Sequence, residues 1–127
     1  MKVLTIKQPW ASLIVEGIKQ YEFRSWKTNY RGKLLIHAGL TLDKIYANKL
    51  KEYNLSFVSG AIIGEVELVD CILVDEEFDS KLRDVNELVY ANNHVGNYAW
   101  KLVNYKKYDE PIFVKGKLGL WNYDVDK

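Results

Sequence analysis

Ala61-Ile62-Ile63-Gly64-Glu65-Val66-Glu67-Leu68-Val69-Asp70-Cys71-Ile72-Leu73-Val74 is the most β-rich stretch of the chain. Apolar and β-branched residues dominate it, which suits a pleated, largely buried strand. It is too long for one flat strand, and Gly64 is where it would bulge or bend. We read it as the centre of a sheet.

Working upstream, Lys33-Leu34-Leu35-Ile36-His37-Ala38 is a second strand that follows the turn Asn29-Tyr30-Arg31-Gly32 and ends at Gly39. Val3, Leu4 and Ile6 suggest a short first strand, after which Pro9 can occupy a helix start, where its missing N–H is not needed. Trp10, Leu13, Ile14 and Gly17 then fall on one helical face. Leu42, Ile45, Tyr46, Lys49, Leu50 and Tyr53 predict a second amphipathic helix. Downstream, Phe78, Leu82, Val85 and Val89 predict a third, ending before Asn92-Asn93. Tyr98 to Tyr108 and Pro111 to Trp121 read as two or more strands separated by Asp109-Glu110-Pro111.

Short strands around one long bent strand favour a curled sheet over an open doubly wound one. The expected fold is therefore a small α+β domain: a curled sheet or partial β-barrel with two or three flanking short helices. With 127 residues, 48% of them hydrophobic, the chain can bury one core and is read as a single domain, 1–127. The single Cys71 excludes an internal disulfide framework, and Met1 to Thr5 lacks the apolar region of a signal peptide. No apolar run approaches the length of a membrane span, so a cytoplasmic location and no membrane partner are expected. The net charge of +1 hides an asymmetry. Residues 1–60 carry ten Lys and Arg against four Asp and Glu, while residues 61–127 carry eight against thirteen. A basic half of +6 is the footprint of an anion or nucleic-acid binder.

The chemistry concentrates in Gly17-Ile18-Lys19-Gln20-Tyr21-Glu22-Phe23-Arg24-Ser25-Trp26. Gly17 tolerates the positive φ that closes a helix, and the alternation after it reads as a strand. On that strand Glu22, Arg24 and Trp26 share one face and Tyr21 and Phe23 the other, with Lys19 at the start. Arg24 offers a planar fork and Lys19 a point charge to a phosphate or base edge, while Glu22 orients them or accepts from an exocyclic amine. Trp26 is either a stacking platform for a base or a core residue, and Trp10 either core or cleft wall on the one hand or a reader of the ligand on the other. Lys27, Arg31 and Lys33 would extend the site toward phosphates. An ordinary solvated ion pair is the alternative for the charged trio.

Three blocks together resemble the ASCH domain, the activating-signal-cointegrator homology module. They are Ile6-Lys7-Gln8-Pro9-Trp10-Ala11-Ser12, then Gly17-x-Lys19-x-x-Glu22-x-Arg24-Ser25-Trp26, then Tyr30-Arg31-Gly32-x-Leu34-x-Ile36-His37-Ala38. Later segments, including Tyr98-Ala99-Trp100-x-Leu102 and Lys115-Gly116-x-x-Gly119-x-Trp121, are similar to it as well. The resemblance implies a PUA-like β-barrel whose cleft is lined by Lys19, Glu22 and Arg24, with RNA, a nucleotide or a modified nucleoside as partner. It also implies an alternative, hydrolysis of a nucleoside amide such as N4-acetylcytidine or of an RNA phosphodiester, in which Lys19 and Glu22 would be the catalytic residues. Here the chain departs from the deacetylating members, which carry a threonine where it has Glu22.

Other candidates read more plainly. His37 ends a strand and His94 sits in a loop, and both are taken as structural or solvated. Glu65 and Glu67 share a strand face, either as solvated residues or as an acid/base or divalent-metal pair. Trp100 and Trp121 are assigned to the core, and Cys71 to a buried small hydrophobe. Two histidines and one cysteine give no zinc-like spacing, and no phosphate loop or dinucleotide fingerprint occurs, so neither metal nor cofactor is expected.

Overall fold

The computed structural model of the chain describes residues 1–90 and 92–124. Its elements are β1 (Lys2–Gln8), α1 (Trp10–Val15), β2 (Tyr21–Arg24), β3 (Gly32–Leu42), α2 (Lys44–Lys49), β4 (Ala61–Leu73), α3 (Glu76–Val85), β5 (Tyr98–Phe113) and β6 (Leu120–Asn122). A single 3-10 turn, Lys51–Tyr53, follows α2. The strands form one six-stranded mixed sheet in the order β2-β5-β4-β3-β1-β6, with β1 and β3 parallel and the other pairs antiparallel.

The long strand β4 lies inside the sheet, as its composition demands, and bends where the glycine stands. Ile36 pairs with Gly64 but His37 with Ile62, so Ile63 is the extra residue of a bulge. A side chain at Gly64 would run into the Lys106 carbonyl and come within 2.7 Å of Val15 Cγ1, so only hydrogen fits. This close approach lets α1 sit directly on the concave face. α1 is buried on every side, from Ala11 to Val15, and packs with Leu34, Ile36, Ala38, Ile63, Val66 and Trp100. A second cluster, Leu13, Leu50, Leu82, Val89 and Tyr90, joins the helices to the aromatic face of β2.

The expected barrel is not closed. β6 pairs with β1 only along Lys2, Val3 and Leu4, and β2 is four residues long and pairs with β5 alone among the described residues. Neither edge has the length to complete a ladder. Yet β1 and β2, separated by three strands in sheet order, touch: Arg24 donates from Nη2 to the carbonyl of Thr5, 2.8 Å away, one residue beyond the end of β6 pairing. The sheet is curled almost to closure, and a side chain spans the remaining seam.

Three sequence expectations change. Tyr98 to Phe113 is one strand, because between the pairs Gly64↔Lys107 and Ile62↔Ile112 the strand bulges widely, and Pro111 falls where no ladder hydrogen bond is required. β3 runs through Gly39 to Leu42. α3 stops at Val85, which is exposed, and Val89 reaches the core from the turn after the helix, its N–H donating to Asn86 Oδ1.

Candidate functional site

The end of α1 sets the first charged residue. Gly17, at φ +77°, closes the helix: its N–H bonds to the Ile14 carbonyl and that of Ile18 to the Leu13 carbonyl, the pair of bonds that defines a Schellman cap. The other end is held by the fully buried Gln8, whose Oε1 accepts from the Ser12 N–H and whose Nε2 donates to the Val58 carbonyl. Lys19 follows the cap and enters the protein with 5% of its side chain exposed.

β2 then splits its side chains as its pleat requires. Tyr21 and Phe23 pack edge-on against Phe78 and Tyr90, at 5.4 and 6.1 Å between ring centres. Glu22 and Arg24 point the other way. The Glu22 carboxylate takes Lys19 Nζ on Oε1 and Arg24 Nη2 on Oε2, each at 3.0 Å. Burial by itself would raise the Glu22 carboxyl. The charges and hydrogen bonds of Lys19 and Arg24 outweigh it and hold the group below the usual carboxylate range. Lys19 Nζ also lies 5.6 Å from the Trp10 ring centre and 5.2 Å from that of Phe23, within cation–π reach.

These groups converge on a cavity of about 700 Å³. Its walls come from β1 (Thr5, Ile6, Lys7), the start of α1 (Trp10), β2 and the residues after it (Glu22 to Trp26), the end of β3 (Gly39, Leu40, Thr41) and the segment before β5 (Val89, Asn92, His94, Asn97). The cavity opens at the seam that Arg24 bridges, so the incomplete closure of the sheet is what makes it. The volume lies inside the ~300–1,000 Å³ range of small-molecule sites.

Lys19, Glu22, Arg24, Trp10 and Trp26 therefore meet around one space. Trp26 is 36% exposed at the rim, edge-on to the buried Trp100 at 4.8 Å. Trp10, half-buried, packs against Tyr46 at 4.6 Å. Lys27, Arg31 and Lys33 do not line the cavity. Lys27 is exposed, Arg31 binds the Thr28 and Tyr30 carbonyls and lies 3.9 Å from Asp70, and Lys33 pairs with Glu65 at 3.3 Å. Glu65 also accepts from the Tyr108 hydroxyl at 2.8 Å, and neither it nor the exposed Glu67 lines the cavity. Cys71 is only half-buried, and the buried His37 bonds through Nε2 to the Val114 carbonyl.

Lys7 and His94 are among the cavity residues that the sequence reading did not assign to the site. Lys7 was legible in principle, because on β1 it alternates with the buried Leu4, Ile6 and Gln8. His94 was not: it lies in a loop whose position is fixed by backbone bonds to Val74, which no local pattern announces. Its ring stacks on Phe23 with centres 3.7 Å apart and planes within 3°. Desolvation, and then the nearby Lys19 charge, lowers its pKa from the ordinary imidazole value. Among the described residues no group of three or more His, Cys, Asp or Glu is arranged to hold a metal ion, and no helix is long and apolar enough to cross a membrane.

The family model described as "ASCH domain" matches residues 4–112. Two curated relatives, both called activating signal cointegrator 1, from Homo sapiens and Mus musculus, are each 34% identical over 96 residues, covering 66% of this chain and 16% of their own length. The chain thus spans about a sixth of these relatives. Among solved structures, ASCH from Zymomonas mobilis superposes with a TM-score of 0.64 at 14% identity, covering 98% of this chain and 88% of that one. A single-substitution variant of the same protein gives 0.54 at 19% identity, over 87% of this chain and 72% of that one. At those identities the structural likeness concerns the fold.

Proposed function

Since the chain belongs to the ASCH domain family, a PUA-like family linked to RNA binding, we propose that it binds single-stranded RNA by taking one base or modified nucleoside into the seam cavity. The observation that carries this reading is the convergence of Lys19, Glu22 and Arg24 between Trp10 and Trp26 on the wall of one cavity of suitable size. The indoles supply stacking faces that any base can use. Glu22 fixes both cations at the cavity wall, so the guanidinium and ammonium are held in place before a ligand arrives. Lys7, exposed at the cavity, is the candidate for an adjoining phosphate.

Binding is favoured over hydrolysis by the state of Glu22. A carboxylate held below its usual range by two cations is a weak general base near neutral pH. Incubation with N4-acetylated nucleosides and with labelled RNA should accordingly give no product.

Titration with a short single-stranded RNA tests the binding reading. Affinity should fall about tenfold or more as salt rises from about 50 to about 200 mM, because counterions released from two or three phosphates must be replaced. Arg24→Ala should weaken it further, with circular dichroism confirming the fold. Binding that ignores salt, or that is absent, contradicts the proposal. Trp26→Ala removes a partly exposed rim indole and, with the fold checked by circular dichroism, should cost ~1–3 kcal/mol of affinity, the worth of one stacked base.

A further inference from the structure

We propose that His94 is a ligand-contacting residue of this cavity, a neutral imidazole that hydrogen-bonds the edge of the bound base and makes binding fail in mild acid. The inference rests on the binding reading above and adds a residue and a pH dependence to it. One face of the ring is covered by Phe23, stacked at 3.7 Å. The backbone is pinned as well: the His94 N–H donates to Asp79 Oδ1 at 3.2 Å, its carbonyl accepts from Asn97, and Gly96 and Asn97 bond to Val74. A loop histidine anchored at ring and backbone is positioned for a purpose that its own packing does not use up. Neither ring nitrogen has a hydrogen-bond partner among the described residues, and the residue is only half-buried. The concave space that the residue lines is the cavity.

Burial favours the neutral form, and the surrounding charges act in both directions. Lys19, from the loop before β2, and Arg83, from α3, oppose a proton on the ring, while Asp79 on α3 and Glu22 on β2 favour one. Both carboxylates are already matched by cations, Asp79 by Arg83 and Glu22 by Lys19 and Arg24. Desolvation decides the balance, and the ring stays neutral to a pH below the ordinary imidazole value. A neutral imidazole offers one donor and one acceptor, the pairing that a base edge needs, whereas a phosphate contact would be strengthened by protonation.

The two cases have opposite signs in solution. If the bound state requires neutral His94, affinity for a short single-stranded RNA is constant above the ordinary imidazole pKa. It then falls as pH drops through the lowered value, approaching tenfold per pH unit. The titration should be run from pH 8 to pH 5 on the native chain, His94→Phe and His94→Gln. Phenylalanine keeps the stack and removes the nitrogens, and about three- to tenfold weaker binding with a flat pH profile is expected. Glutamine keeps donor and acceptor without a titrating proton, and is expected to recover affinity and remain flat. Native affinity that rises in acid, or a His94→Phe variant that binds and titrates like the native chain, overturns the role of His94 alone. No native binding at pH 8 removes the RNA reading and this inference together.

Discussion

Replacing Glu22 by glutamine should lower folding stability by about 3 kcal/mol at neutral pH, near the bottom of the ~3–5 kcal/mol range for removing one partner of a buried ion pair. The substitution keeps the shape and removes the charge that Lys19 was buried against. With 5% of its side chain exposed, Lys19 cannot turn to water without abandoning the core, and its contacts with Trp10 and Phe23 offset only part of the loss. Arg24, at 24% exposure, keeps some hydration and its bond to the Thr5 carbonyl, so most of the penalty falls on Lys19. The double variant Lys19→Met/Glu22→Leu removes both charges and should recover most of the stability, a non-additivity that a double-mutant cycle in urea would quantify. A loss below about 1 kcal/mol in Glu22→Gln would show that the pair is hydrated in solution and contradict the buried arrangement.

The same pair predicts a response to acid. Since the folded protein holds the Glu22 carboxyl below its usual range, the unfolded chain binds the proton more readily. The stabilisation is therefore complete above the usual carboxylate pKa and is lost as pH falls through the lowered value. Glu22→Gln should lack that component of the acid limb in a stability–pH profile.

Gly64→Ala is expected to cost about 3 kcal/mol, at the upper end for overpacking, and about 10 °C in Tm. The added methyl would meet the Lys106 carbonyl on one side and Val15, 2.7 Å from its Cγ1, on the other. The carbonyl belongs to the neighbouring strand and Val15 to a helix buried all round, so neither can withdraw alone. Gly17 provides the contrast in kind. There the obstacle is the ring of Tyr105, which is 59% exposed and free to swing, so Gly17→Ala should cost mainly the strain of φ +77°. Thermal unfolding of the two variants side by side separates a steric clash from a dihedral one. Equal Tm values would mean that the bulge at Gly64 relaxes and that α1 is not tightly seated.

Much of this architecture was written in local pattern. The density of β-forming residues from Ala61 onward placed β4 inside the sheet, Gly64 marked its bulge, and Gly17 marked the end of α1. Where the reading slipped, the missing information was a neighbour. Asp109-Glu110-Pro111 looks like a break until β4 is laid beside it and the residues are seen to bulge out of a continuous strand. Phe78, Leu82, Val85 and Val89 make a helical stripe on paper, yet Asn86 ends the helix and Val89 finds the core through a turn. Lys27, Arg31 and Lys33 follow the motif in sequence, and the fold sets all three outside the cavity, with Lys33 on β3 paired to Glu65.

By itself the sequence determined the pieces: which runs become strands, where α1 stops, and that Lys19, Glu22 and Arg24 stand within six residues of one another with indoles close by. Hydrophobic period and glycine dihedral freedom are properties of a few consecutive residues, so they survive in a string of letters. Only the tertiary structure decided that the sheet would curl until β2 faced β1, leaving a seam that Arg24 ties to Thr5 and a cavity behind it. It alone brought His94, some seventy residues away in sequence, onto the ring of Phe23. Strand order and curvature arise from packing between distant segments, and no local pattern encodes them.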